Sequence, residues 1–84
     1  MKNIQIKAAQ FFDLLKLKNV SMWEIFAQMI DGEEKKIIFL TEDEKVLFDY
    51  HLPKTIQELN KDKEKFTAEY ASKLEQAEQR SKNN

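Results

Sequence analysis

The side chains that could carry chemistry in this sequence are few. His51 is the only histidine and the chain has no cysteine, so an activated nucleophile would have to be built from a serine. The serines are Ser21, Ser72 and Ser81. No motif places a base at a catalytic spacing from any of them, and His51 is expected at a helix end, where its ring meets free carbonyl groups. The sequence therefore predicts a protein that is not an enzyme.

Two acidic clusters are the candidate metal ligands. They are Asp31/Glu33/Glu34 and Glu42/Asp43/Glu44. Neither cluster has the alternating oxygen spacing of a calcium-binding loop, and zinc sites built on cysteine are excluded by composition. We interpret both clusters as carboxylates at helix ends, and we expect no metal and no cofactor.

The balance of charge restricts the classes of partner. The 14 Lys and Arg residues against 15 Asp and Glu residues leave a formal net charge of -1, which does not favour a protein that depends on neutralising phosphates. With 84 residues and no disulfide, the chain is expected to gain stability from a partner or a second copy. It has no apolar stretch of about 18 residues and no apolar leader, so we expect a cytoplasmic protein with no membrane partner.

The elements that would position these side chains are predicted to be helices. One glycine and one proline, Gly32 and Pro53, are too few for a β-rich protein with many tight turns. Hydrophobic periodicity predicts an all-α fold. Its three short helices span about residues 3–18, 22–31 and 42–52, and a long C-terminal helix spans about residues 54–80.

Local signals support most of these boundaries. Capping boxes that begin at Ser21 and Thr41 mark the start of the second and third helices. Gly32 is expected in the left-handed conformation that ends the second helix. The apolar run at residues 36–40 has no helical periodicity and is left open as a short strand, for which residues 3–7 are the available partner.

The long C-terminal helix is the most informative element. Residues 54–80 would extend roughly 40 Å, against a diameter of about 30 Å for a compact chain of this length. We therefore divide one domain into a helical core over residues 1–53 and a charged helix over residues 54–84 with a frayed end. An apolar stripe follows this helix, although Lys63 and Lys73 interrupt it. The stripe is expected to rest on the core, on a second copy or on another protein.

These features favour a small non-enzymatic protein-binding regulator, inhibitor or assembly factor that acts through a helical surface. We expect a protein partner, a homodimer, or both. Aromatic residues and methionine are enriched at the energetic centres of interfaces. The candidate partner-binding residues are Met22, Trp23, Ile56, Leu59, Phe66, Tyr70 and Leu74.

Two alternatives stay open. The first is a weak DNA-associated modulator of transcription or of the nucleoid, because helix, turn and helix around residues 3–31 have a shape that DNA-binding proteins also use. The predicted second helix carries no lysine or arginine for base contacts. A small phosphate-contacting patch would consist of Lys2, Lys7, Lys16 and Lys18. The second alternative is a purely structural homodimer.

Overall fold

The computed structural model describes residues 3–82 and shows an α+β fold, so the all-α prediction is wrong. The elements in chain order are β1 (Asn3–Lys7), α1 (Ala8–Lys18), α2 (Met22–Asp31), β2 (Lys36–Leu40), β3 (Val46–His51), α3 (Ile56–Phe66), a π-helical segment (Thr67–Ala71) and α4 (Ser72–Lys82). The last three elements follow one another without a break and form one long helix. The molecule measures 38 × 25 × 25 Å, so this helix runs along its longest dimension.

Within the described residues, the strands form one mixed sheet in the order β1-β2-β3. β1 is parallel to β2, with Ile4 opposite Ile37, and β2 is antiparallel to β3. A parallel pair needs a crossover connection, and α1 and α2 provide it. The strand alternative for residues 36–40, paired with residues 3–7, is therefore confirmed, and the predicted helix over 3–18 begins only at Ala8.

The predicted helix over residues 42–52 is wrong, because these residues form a turn and then β3. The Thr41 hydroxyl accepts a hydrogen bond from the backbone N–H of Lys45 at 3.1 Å. The Thr41 N–H donates to the Lys45 carbonyl at 2.8 Å, and Glu44 has a φ of 66°. A threonine side chain satisfies backbone groups in a turn as readily as at a helix start, so the capping signal at Thr41 was ambiguous.

The ends of α2 agree with the predicted span of residues 22–31. Oγ of Ser21 accepts a hydrogen bond from the backbone N–H of Glu24 at 3.3 Å, which confirms the predicted cap. Gly32 has a φ of -83° and is not left-handed, contrary to the prediction. The next residue, Glu33, has a φ of 62°, so the left-handed position lies one residue later than expected.

Apolar side chains from the sheet and the helices form one core. The strands contribute Ile37, Phe39, Phe48 and Tyr50, and the helices contribute Ala8, Phe11, Ile25, Phe26, Leu59, Phe66 and Leu74. Phe66 lies at the centre of the aromatic part of this core. Its ring centroid is 4.7 Å from that of Tyr50, 5.4 Å from that of Phe26 and 5.5 Å from that of Trp23. The Phe66 ring therefore packs the long helix against both the sheet and α2.

The π-helical segment decides which side of α4 is covered. In a regular α-helix, the residue two turns after Phe66 would be Lys73, and it would face the core. A π turn adds one residue to the helix, and Leu74 occupies the covered position at 0% exposure while Lys73 is exposed. The Lys73 ammonium lies 5.9 Å from the centroid of the Tyr70 ring. Because of the π-helical segment, Lys73 faces away from the core and Leu74 continues the apolar stripe in its place.

Candidate functional site

Three of the residues predicted to bind a partner belong to the core of the chain itself. Leu59, Phe66 and Leu74 are exposed by 1%, 1% and 0%. The apolar stripe of the long helix therefore rests on the sheet, α1 and α2 of the same chain. The predicted frayed end of the long helix includes residues 83 and 84, which lie outside the described residues.

The other predicted partner-binding residues are spread over the molecule. Met22 and Trp23 are half-buried on α2. Tyr70 is half-buried and its ring stacks on Phe48 with centroids 4.5 Å apart. Ile56, exposed by 38%, begins α3 at the far end of the long helix from α4. Trp23 and Tyr70 each pack against the Phe66 ring.

A groove of about 560 Å³ lies between the β2–β3 turn and α4. We call it the turn–helix groove. Its lining residues are Thr41, Glu42, Asp43, Leu47, Lys73, Gln76, Ala77 and Arg80. Its volume falls in the range of about 300–1,000 Å³ that is usual for ligand sites, and it is the candidate functional site.

A β-bulge supplies the apolar floor of this groove. Along β2, the partner of Phe39 is Phe48. The partner of the next residue, Leu40, is Val46, which leaves Leu47 as an extra residue in β3. Leu47 therefore turns towards α4 and lines the groove, while Val46 is 62% exposed. Bulges change the direction of side chains in this way.

The π-helical segment sets the helical wall of the groove. It ends at Ala71, directly before α4, and it moves Lys73 from the covered side of the helix to the groove. Ala77 is half-buried and extends the apolar floor. Short π-helical turns and β-bulges are both enriched near functional sites, and here the two irregularities border the same groove.

The two walls of the groove carry opposite charges. The turn contributes Glu42 and Asp43, and the helix contributes Lys73 and Arg80. The Thr41 hydroxyl donates a 2.5 Å hydrogen bond to Asp43. This bond, the backbone N–H of Asp43 and the Lys45 ammonium 3.7 Å away lower the pKa of Asp43. The Asp43 carboxylate is therefore ionised at neutral pH.

Among the residues with catalytic potential, Ser21, His51 and Ser72 lie on different elements of the structure. His51 ends β3, is exposed and lines a separate groove of about 140 Å³, so its predicted position at a helix end is wrong. Ser21 caps α2, and Ser72 accepts a hydrogen bond from Gln76 at 3.3 Å. Within residues 3–82, no group of three or more His, Asp or Glu side chains is placed to hold a metal ion.

The helices considered for DNA binding are part of the crossover between β1 and β2. Ile25 and Phe26 of α2 are buried in the core. Lys7 lies on β1, while Lys16 lies on α1 with its ammonium 3.9 Å from the Glu78 carboxylate. Lys2 lies outside the described residues. No helix in the described part of the chain is long and apolar enough to cross a bilayer.

Comparison with protein-family models, with curated proteins and with solved structures finds no match to this chain. The candidate site therefore depends on the geometry of the turn–helix groove alone. The sequence analysis named Glu42 and Asp43 as candidate metal ligands and Lys73 as an interruption of the apolar stripe, but it did not predict that they line one groove. One available signal was the consecutive apolar run Val46-Leu47-Phe48 in a segment that otherwise alternates, and another was Lys73 beside Leu74.

Proposed function

We propose that this protein is a non-enzymatic protein-binding protein of the cytoplasm that holds a segment of its partner in the turn–helix groove. Regulation, inhibition and assembly are the roles that such binding serves. The observation that supports the proposal is the convergence of the bulge at Leu47 and the π-helical segment on one groove. The two irregularities also serve the core, because the π-helical segment places Leu74 there and Leu47 packs against it. The same two irregularities turn Leu47 and Lys73 to one groove.

The outer surface of the long helix supports the groove as the contact site. The exposed residues of this helix are mostly polar, among them Gln57, Asn60, Lys61, Glu64, Glu75 and Gln79. Apart from Ile56 at the start of the helix, such a surface lacks the apolar anchors that dominate binding energy at interfaces. The helix presents apolar surface at Ala77, which lines the groove floor together with Leu47.

The charges of the groove favour a protein partner over a nucleic acid. A phosphate backbone carries one sign of charge along its whole length. It would be attracted by Lys73 and Arg80 but repelled by Glu42 and Asp43 on the facing wall. A protein segment can present both signs of charge and an apolar side chain within a few residues.

The second face of the sheet is a candidate surface for the homodimer alternative. It carries Ile38 and Leu40, both half-buried, together with the exposed Val46. Three strands of about five residues make a face of roughly 250 Å², whereas a stable interface buries about 800 Å² on each partner. Self-association through this face alone would therefore be weak.

A bulky side chain placed in the groove tests the proposal. Gln76→Trp fills the groove from its helical wall, and Gln79→Trp is the matched control because Gln79 is exposed on the same helix outside the groove. Both variants are used to capture partners from the native host, and the affinity of the purified partner is then measured. We expect Gln76→Trp to weaken binding at least about tenfold, or about 1.4 kcal/mol. A partner that binds both variants as it binds the original chain would refute the proposal.

A further inference from the structure

One charged group on each wall of the turn–helix groove is held in place by the chain itself. Within the turn, the Asp43 carboxylate accepts a 2.5 Å hydrogen bond from the Thr41 hydroxyl. On the facing wall, the ammonium of Lys73 lies over the Tyr70 ring, 5.9 Å from its centroid. Groups that are ordered before binding lose less conformational freedom when a ligand arrives. The groove therefore offers a preformed pattern of charge.

The arrangement of charges in the groove distinguishes ligands by the sign of their charges. A ligand with charges of one sign is attracted by one wall and repelled by the other. A ligand with both signs is attracted by both walls if its two charges lie on opposite sides of the floor. Leu47 and Ala77 form that floor between the walls, so the part of the ligand between its charges is in contact with apolar side chains.

We infer that the groove binds a short peptide segment in which an apolar residue stands between a cationic and an anionic residue. The cationic residue lies against Glu42 and Asp43, and the anionic residue lies against Lys73 and Arg80. The apolar side chain covers Leu47. This inference rests on the proposed function and adds the chemistry of the segment that is bound.

Capped tripeptides of defined charge test the inference directly. The full chain, labelled with ¹⁵N, is titrated with lysine-leucine-glutamate, glutamate-leucine-lysine, lysine-leucine-lysine and glutamate-leucine-glutamate. We expect at least one mixed-charge peptide to shift the amide signals of Leu47 and Ala77. Both single-sign peptides should bind at least about tenfold more weakly. Equal binding of mixed and single-sign peptides, or shifts confined to another surface, would overturn the inference.

Reversing one wall tests the same point with a change of preference. Arg80→Glu makes the helical wall less cationic, and it should move the preference towards lysine-leucine-lysine. Lys61→Glu is the matched control, because it makes the same change in charge at an exposed position of α3 outside the groove. An unchanged preference in Arg80→Glu, or the same change in both variants, would contradict the assigned role of the wall.

A random peptide display library separates this inference from the proposed function. The library is selected on the full chain, and binders that still bind Gln76→Trp are removed. Mixed-charge binders with an apolar residue between the charges would support the inference. Groove-dependent binders of another composition would overturn the inference and leave the proposed function in place. A library without groove-dependent binders would count against both.

Discussion

The hydroxyl of Tyr50 donates a 2.5 Å hydrogen bond to Oδ2 of Asp62, which links β3 to α3. Tyr50 is only 5% exposed. Burial, and next the Asp62 carboxylate, raise the pKa of Tyr50 far above its usual value. The phenol is therefore protonated at neutral pH and able to donate. This polar contact lies beside Phe66, where the long helix meets the sheet.

The stability of the fold is predicted to decrease above about pH 10 because of Tyr50. A tyrosine side chain in the unfolded chain ionises near pH 10, whereas the raised pKa of Tyr50 keeps the folded state protonated. The unfolded state then binds fewer protons, so the free energy of unfolding falls as the pH rises through this window. Tyr50→Phe should remove this part of the pH dependence. At neutral pH it should lower the free energy of unfolding by about 1–2 kcal/mol, because Asp62 loses its donor.

Urea denaturation of the original chain and of Tyr50→Phe on both sides of pH 10 measures the effect. Lysine side chains also lose protons in this pH range. The contribution of Tyr50 is therefore the difference between the original chain and Tyr50→Phe in the pH dependence of the free energy of unfolding. Tyr70→Phe is the matched control, since it removes a hydroxyl from the neighbouring ring. A pH dependence that is identical in the original chain and in Tyr50→Phe would show that the raised pKa of Tyr50 does not contribute.

Phe66 is predicted to be indispensable for folding. Its ring contacts both the sheet and α2, and it is 1% exposed. Phe66→Ala should cost about 3–5 kcal/mol, which is comparable to the whole stability of about 3–5 kcal/mol expected for a core of this size. We expect that variant to be unfolded and Phe66→Leu to be folded but weakened, as measured by circular dichroism and urea. Leu17→Ala, at a residue 84% exposed, should change stability by less than about 0.5 kcal/mol.

Deleting Ala68 is predicted to convert the π-helical segment into regular α-helix without loss of the fold. Ala68 is exposed within that segment, and without it Tyr70 and Leu74 stay on the covered side. The free energy of unfolding should change by less than about 1 kcal/mol. Deleting Lys61, which is exposed in regular α3, would rotate all later residues by about 100° relative to Leu59. That variant should not fold, and comparable losses in the two deletions would contradict the role assigned to the π-helical segment.

The bulge in β3 predicts that a polar substitution is tolerated at Val46 but destabilises the fold at the neighbouring Leu47. Val46 is 62% exposed, so Val46→Thr should change the free energy of unfolding by less than about 0.5 kcal/mol. Leu47 packs against the core side of the sheet, and Leu47→Thr should cost about 1–2 kcal/mol through lost apolar contacts. A strand with regular alternation would give the reverse order. Urea denaturation of the two variants therefore decides whether the bulge exists in solution.

The helices were predictable from the sequence because their signals are local. The span of α2 follows from the serine cap at Ser21 and from apolar spacing within a few turns. The long helix, predicted over residues 54–80, runs from Ile56 to Lys82 with Thr55 as its cap. Its apolar stripe was also visible in the sequence. What covers the stripe depends on residues distant in the chain, and the structure shows that the chain covers it itself.

The sheet and the candidate groove were decided by tertiary structure. Residues 46–51 become a strand because β2 supplies hydrogen-bonding partners and the helices cover the side of Phe48 and Tyr50. Neither condition is visible within the segment. The same holds for the turn–helix groove. Leu47 and Lys73 both line it because β3 contains an extra residue and the long helix contains a π-helical segment. The sequence by itself determined the span of α2 and the course of the long helix, since the caps and apolar spacing of both are set by neighbours in the chain. Only the folded chain contains the contacts between distant segments. These contacts decide which strands pair and which side of the long helix faces the sheet.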